Sequence, residues 1–570
     1  MAVTATGLAH WLPEASAAPL RETTLGALLA ERAAALPGRP ALIFDEPQAR
    51  ATWTYAELDA EVTRLAKALL GHGIGPGQRV AVMAANCPEW VFLEYALGRI
   101  GAVLVTVNPS FRQGELDYLL RQARVSALFV AGVFRGFDVG AMLAEMLPGL
   151  DRGRPSSGSG GGSAYPDLRL VVQIGAAAVP GALPFDGVLE AAPEISEAAL
   201  AEVAQGVRPE DVLQIQYTSG TTGKPKGAML THRGTINNAL LAAERAGYRE
   251  TDVMVSAMPL FHTAGCVCNV MGMLAAGGCL VVMADFDAGR LLDLIERHGG
   301  TITNGVPTMY IRMLQDPGLV AGARDLSRWR IAYTGGTSIP PQVMLDLHAR
   351  VGCEPVIIMG MTECSPIITQ TAPDEPLETR VMTAGVPLPH VEIRIVDPVS
   401  GETRPVGAEG ELQIRGFLVT AGYFDMAKQT RETISADGWL KSGDLAVMDA
   451  EGHLRIIGRI KDMLIRGGEN IYPVEIEDWL MQHPAIAEAQ VVGVPDPEFG
   501  EEIFAFVVLH PGKTLEAGAL RDWCRTRIAR HKVPRHIAFI EATPKTANGK
   551  VRKVDLRRMA EEMLEKDTTA

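Results

Sequence analysis

Apolar residues recur along the chain at two spacings, and the alternation between them predicts the architecture. Residues 24–36 (TLGALLAERAAAL) carry them at helical spacing, 41–44 (ALIF) read as a strand, and 55–73 (YAELDAEVTRLAKALLGHG) form an amphipathic helix that stops at glycine. A buried strand over 79–86 follows, then a helix and strand over 89–108. Such alternation belongs to an α/β layered fold. Strand candidates at 253–259, 278–284, 301–307, 330–336 and 355–361 continue it between helical segments. After about residue 380 the pattern shifts to short strands (391–397, 410–416, 453–459), which predicts a small β-rich subdomain. From Lys461 onward a compact α+β unit is expected, with strands near 488–494, 503–510 and 536–542 and helices near 473–483, 515–530 and 554–565.

The Gly/Ser-rich stretch 152–163 lies between strand-like runs at 127–132 and 168–175, so it reads as a surface excursion and not a domain boundary. At 570 residues the chain is too long for one ordinary core. A net charge of −14 argues against broad nucleic-acid binding. The seven cysteines are odd in number and form no CxxC, which fits a reduced, cytoplasmic compartment. Cys266 and Cys268 alternate in an apolar run and read as core thiols. The most apolar stretch, 271–284, is short and broken by glycines, so no transmembrane segment is expected.

Residues 217–227 (YTSGTTGKPKG) carry the first chemistry. A P-loop needs four residues between its first glycine and Gly-Lys, then Ser or Thr for the metal. Here Gly220 and Gly223 are two residues apart and Pro225 follows Lys224, so that reading fails. What remains is a loop of backbone N–H groups, hydroxyls and two lysines, which suits a polyphosphate. Two stretches, 334–340 (TGGTSIP) and 359–366 (MGMTECSP), place Gly and Thr after strands, where α/β proteins bind ligands. Residues 438–446 (GWLKSGDLA) put Asp444 in a tight glycine turn, where its carboxylate could hold ribose hydroxyls. Basic residues and a Gly-Gly turn mark 458–477, and 544–553 (PKTANGKVRK) presents Lys550.

Taken together and in this order, these motifs resemble the adenylate-forming enzymes: acyl-CoA synthetases, luciferases and peptide-synthetase adenylation domains. The segments 458–477 and 259–265 (PLFHTAG) are most similar to fatty acyl-CoA ligases of medium-chain type. The resemblance covers roughly residues 24–558. It implies a large N-terminal adenylation domain (1–460), a small mobile C-terminal domain (461–570), and an active site between them. ATP, Mg²⁺ and coenzyme A are the implied cofactors, and a small carboxylic acid the implied substrate.

By position, the resemblance places Thr218, Ser219, Gly220, Thr221, Thr222, Gly223 and Lys226 in the phosphate loop. Gly335 and Gly336 border adenine, and Met359 and Gly360 belong to the same pocket. Met359 stands where many relatives have an aromatic residue. Thr362 contacts the α-phosphate, Glu363 holds Mg²⁺, and Asp444 takes the ribose hydroxyls with Arg459 nearby. Lys461 sits at the hinge. Gly467, Gly468 and Glu469 line the pantetheine approach, Lys550 is the catalytic lysine of the first half-reaction, and His262 lies between acyl pocket and thiol path.

A carboxylic acid is already ionised at neutral pH, so no general base is needed. Catalysis of its attack on ATP must come from positioning and charge stabilisation. Stretches 262–273, 304–310 and 364–368 are expected to border a largely apolar acid pocket, which favours a medium-chain fatty acid; aryl and branched acids stay open. A peptide-synthetase domain should carry an aspartate near 259–265, and none is there. A luciferase-like oxygenase would share these motifs, and a non-catalytic acyl or nucleotide sensor would bind ATP without releasing pyrophosphate. A homodimer is compatible with the sequence without being specified by it.

Overall fold

The computed structural model describes residues 7–13, 18–47, 49–155, 165–218, 225–336, 339–466, 469–545 and 551–568. Two parallel-rich sheets build most of the larger part. A nine-stranded sheet runs Val386–Pro387, Ile367–Gln370, Glu354–Gly360, Ile331–Gly335, Ile302–Asn304, Val253–Ser256, Cys279–Val282, Pro40–Glu46, Ala49–Thr54. Its six inner strands are parallel and its edges antiparallel. Strands buried on both faces read as continuous apolar runs, which is why each inner strand was visible in the sequence.

A seven-stranded sheet runs Leu183–Pro184, Leu170–Ile174, Ala127–Ala131, Arg79–Met83, Val103–Thr106, Val212–Thr218, Lys226–Thr231. Ala127–Ala131 and Leu170–Ile174 are parallel neighbours, so the Gly/Ser-rich stretch between them does not divide domains. Most of that stretch lies outside the described residues. One large core lies under both sheets and includes the helices Leu25–Ala35, Tyr55–Gly71 and Pro88–Arg99. Thr54 starts the second of these with a reciprocal cap: its hydroxyl accepts from the Glu57 N–H, and Glu57 accepts from the Thr54 N–H.

The β-rich subdomain is a five-stranded antiparallel sheet of His10–Trp11, Val391–Val396, Gly410–Gly416, Leu440–Met448 and Leu454–Arg459. The expected tight turn at Asp444 is instead the interior of the strand Leu440–Met448. Gly443, at φ +71°, lets that strand bulge without leaving the sheet.

The last part has its own cores, centred on Leu464, Ile476, Val491 and Ala505 and on Phe506, Leu556 and Ala560. Its sheet joins Glu469–Ile471, Leu464–Arg466, Gly500–Leu509, Ile486–Asp496 and His536–Phe539. The helices Pro473–Met481, Ala517–Arg525 and Lys553–Thr568 lie where the periodicity put them. Pro473–Met481 packs along the strand Leu454–Arg459 of the larger part. The molecule is thus a large α/β domain with a small α+β domain after it.

Candidate active site

A cleft of about 770 Å³ opens between the two parts. One wall is built at the carboxyl ends of the parallel strands, where connecting backbone leaves the sheet and exposes polar groups. It carries Asn304, Gly335 and Gly336, and after the strand Glu354–Gly360 come Met361 and Thr362. Gly336 has φ +80°, a left-handed conformation that turns the chain sharply off the strand Ile331–Gly335.

His262, Thr263, Ala264 and Cys268 continue this wall. His262 and Thr263 precede, and Ala264 and Cys268 belong to, an uncommon element: a π-helix over Ala264–Met271 that runs into the α-helix Gly272–Ala276. Its wider turns recur at functional sites. The Ala264 N–H donates to His262 Nδ1 at 3.2 Å, which makes Nδ1 the acceptor and leaves Nε2 to carry the proton of a neutral ring.

The opposite wall comes from the small domain: Glu477, Asp478, Met481 and Gln482 near the helix Pro473–Met481, residues 487–490, and Lys545 and Val551. Lys545 and Val551 are joined by an antiparallel bridge. Lys550 itself lies outside the described residues, but both flanks of its segment face the cleft. Protein around Asp478 and, second, the neighbouring Glu477 carboxylate push its acid up to about 6, although water in the cleft still reaches it.

A second cluster adjoins the cleft through the peptide that links Thr362 to Glu363. Glu363 is 7 % exposed, in a 3₁₀ turn over Thr362–Cys364. Its Oε1 accepts from the Tyr423 hydroxyl at 2.8 Å and from Thr218 Oγ1 at 3.3 Å. Thr218 and Lys226 are register partners at the connected end of an antiparallel pair, where the chain passes from one strand to the next. The Lys226 ammonium stands 4.3 Å from the Tyr423 ring centroid, a cation–π contact. Burial and the Glu363 carboxylate hold the Tyr423 phenol well above its usual range, so it stays a donor. Lys461 is close enough to feel this charge: burial first, then repulsion from Lys226 and Arg459, lowers its ammonium pKa.

Asp444 is 7 % exposed, and Arg459 Nε donates to its Oδ1 at 2.9 Å across paired strands. The Ile460 N–H donates to the Gly443 carbonyl at 3.0 Å, which ties the segment before Lys461 to the Asp444 bulge.

Of the residues singled out in the sequence, His262, Gly335, Gly336, Gly360 and Thr362 share the cleft, and Thr218, Lys226 and Glu363 share the second cluster. Met359 departs from expectation. It is 8 % exposed within the main core, and Met361 faces the cleft in its place. Ser219, Gly220, Thr221, Thr222, Gly223, Gly467 and Gly468 lie outside the described residues, and Glu469 opens the strand Glu469–Ile471. No described residue of the hairpin Leu464–Ile471 lines the cleft. Tyr423 had no signal in the sequence: it stands outside every motif, 60 residues from its partner Glu363. No group of three His, Cys, Asp or Glu that could hold a metal occurs among the described residues.

The model of the AMP-binding enzyme family matches residues 29–424, and that of the AMP-binding enzyme C-terminal domain matches 475–550. The chain belongs to the AMP-binding enzyme family. Among its relatives is YngI of Bacillus subtilis (strain 168), whose name assigns it provisionally to the acyl-CoA synthetases. It is 41 % identical over 547 residues, which is 96 % of this chain and 98 % of that one. The mitochondrial medium-chain acyl-CoA ligase ACSF2 of Danio rerio is 36 % identical over 96 % of this chain and 90 % of its own. The crystal structure of the anthranilate CoA ligase AuaEII with anthranoyl-AMP superposes with a TM-score of 0.83 at 28 % identity, over 97 % of this chain and 100 % of that one. The shared architecture is that of adenylate-forming enzymes, and no described helix of this member is long and apolar enough to cross a membrane.

Proposed function

We propose that this protein is an ATP-dependent acid–CoA ligase that activates a monocarboxylic acid, preferentially a medium-chain fatty acid, through an acyl-AMP intermediate. The observation that carries this reading is the pairing of the two cleft walls. The flanks of the Lys550 segment face the strand ends that carry Gly335, Gly336, Thr362 and His262. That pairing suits the first half-reaction, with the division between domains at 460/461.

The acid's carboxylate oxygen attacks the α-phosphorus of ATP; the new P–O bond replaces the bond to the β-phosphate oxygen, and pyrophosphate leaves. Gly335, Gly336 and Gly360 border the adenine, and Asp444 with Arg459 orients the ribose. Thr362 meets the α-phosphate. Thr218, Lys226 and the loop between them hold the leaving phosphates, and Lys550 stabilises the charge that gathers on the transferring group. Glu363 fits Mg²⁺: one buried carboxylate beside a hydroxyl suits an ion that keeps several waters and takes its other oxygens from a triphosphate. That ion would neutralise negative charge between the phosphates. In the second step the coenzyme A thiol attacks the acyl carbonyl and AMP leaves. Rotation about Lys461 withdraws Lys550 and presents Gly467, Gly468 and Glu469 to the pantetheine arm, a gating motion of a familiar kind.

A single carboxylate is favoured because Lys545 is the only Lys or Arg among the described cleft-lining residues. Its Nζ is already 2.5 Å from Glu488 Oε1. An aromatic acid is the second reading, favoured by the likeness to the anthranoyl-AMP complex. Seven free cysteines suit a reduced compartment such as the cytoplasm. The test is pyrophosphate release over a panel of straight-chain, branched and aromatic acids, with and without coenzyme A. Release with a medium-chain acid, and thioester formation only when coenzyme A is added, is the expected result. ATP binding without pyrophosphate release for any acid would make the protein a sensor.

A further inference from the structure

Two cavities meet at one side chain. Cys268, on the π-helix, lines the large cleft on one side. It also lines a small void of about 10 Å³, bordered by Asn238, Ala239, Ala242, Tyr248, Gly272 and Tyr333 among others. That void has room for roughly one water-sized sphere and little polar surface to hold one. Cys268 is 6 % exposed, and burial pushes its thiol up to about 12, so it stands there as a small neutral apolar group.

We propose that Cys268 sets the depth of the acid pocket, as the partition between the cleft and the void behind it. The proposal rests on the acid–CoA ligase reading and extends it to the length of the acid. The partition is held in place by bonds that do not involve Cys268. Asn304 Nδ2 donates to Asn269 Oδ1 at 2.7 Å, Asn269 Nδ2 donates to Ser256 Oγ at 3.0 Å, and Ser256 Oγ donates to the Asn304 carbonyl at 2.9 Å. These pin the π-helix to two strand ends, so changing Cys268 alters the space and not the frame. The void can also be filled from behind. A methyl built on Gly272 meets Tyr248 Cε2 at 3.8 Å and the Val267 carbonyl at 3.9 Å, which is ordinary contact.

The experiment compares kcat/KM across straight-chain saturated acids for the wild-type protein, Cys268→Ala, Cys268→Leu, Gly272→Ala and the double variant Cys268→Ala/Gly272→Ala. Each additional methylene that gains a buried place is worth about four-fold in kcat/KM. Cys268→Ala should move the optimum one or two carbons longer, and Cys268→Leu should move it shorter. Gly272→Ala alone should leave it unchanged, because the partition still closes the void. In the Cys268→Ala background Gly272→Ala should move it back. If the wild-type protein is active and Cys268→Ala keeps its optimum, or Gly272→Ala fails to reverse the shift, the depth proposal is overturned while the ligase reading stands. If no acid supports pyrophosphate release by the wild-type protein, the ligase reading falls and the proposal with it.

Discussion

The two walls of the cleft are made differently. The wall from the large domain is fixed: its residues end parallel strands in the middle of a nine-stranded sheet, and its polar groups are locked into buried bonds such as Asn304–Asn269. The wall from the small domain is tied mainly to itself. Lys545 pairs with Glu488, Lys553 with Glu477 at 2.8 Å, and Arg557 with Asp462 at 3.0 Å, all within residues 461–568. Between the two parts the contacts include the helix Pro473–Met481 on the strand Leu454–Arg459, Tyr472 against Glu409, and Asp478 near Arg455. Polar interfaces of this kind inside one chain permit domain motion by default. A reaction that needs one set of groups for adenylation and another for thiol attack needs one wall that stays and one that leaves, and the division of contacts supplies that asymmetry.

The sharpest test of the fixed wall is Glu363→Gln. Loss of its charge should lower adenylation by about 10²–10³-fold, as expected of an electrostatic transition-state group. The loss should deepen as Mg²⁺ is lowered; a Mg²⁺ titration of pyrophosphate release that matches the wild type would remove Glu363 from the metal's surroundings. Next comes Asp444→Ala. Charge-assisted hydrogen bonds contribute about 1.5–3 kcal/mol, so the apparent KM for ATP should rise roughly 10- to 100-fold while that for the acid changes little. Equal responses of ATP and its deoxyribose analogues would leave Asp444 as a partner of Arg459 and nothing more.

The smallest effect belongs to the departing wall. In the arrangement seen here burial, then the Glu477 carboxylate, pushes Asp478 up to about 6, and opening the cleft to water is expected to relieve that rise. A raised carboxyl pKa favours the closed arrangement in acid, and that preference is lost as pH rises from the ordinary aspartate value of about 3.8 through 6. Because cleft water reaches the group, the change should be only a few-fold. The ratio of adenylation to thioester formation should fall between about pH 4 and 6.5 in the wild type and stay level in Asp478→Asn. Parallel pH profiles for the two proteins would show that Asp478 does not report on closure.

The same contrast governs what was legible in the sequence. The parallel strands read clearly because both faces are buried, and the helices of the small domain because one face is. The pair Val212–Thr218 and Lys226–Thr231 did not, since its glycine-rich connection masks a hairpin. Nor did the bulge at Gly443, which looks like a turn when only residue types are read. The π-helix was hidden because Gly265–Met271 is buried on every side and carries no helical stripe. Among the candidate residues, motif order singled out Thr362, Glu363 and Asp444. The partners that orient them, Tyr423 above all, come from distant segments that only folding brings together.

Whether one wall rotates between the two half-reactions is read from Lys550→Ala and Lys461→Pro. Lys550→Ala should lose adenylation by about 10²–10³-fold yet still convert preformed acyl-AMP and coenzyme A to thioester. Lys461→Pro should do the reverse. Proline fixes φ near −65° and stiffens the hinge. Among the described backbone groups the Lys461 N–H donates to none, so no bond of that kind is lost. Acyl-AMP should form and thioester formation stall. Rates of each half-reaction on both variants should therefore cross. Equal losses of both half-reactions in both variants would contradict the rotation and leave the two lysines as supports of the fold.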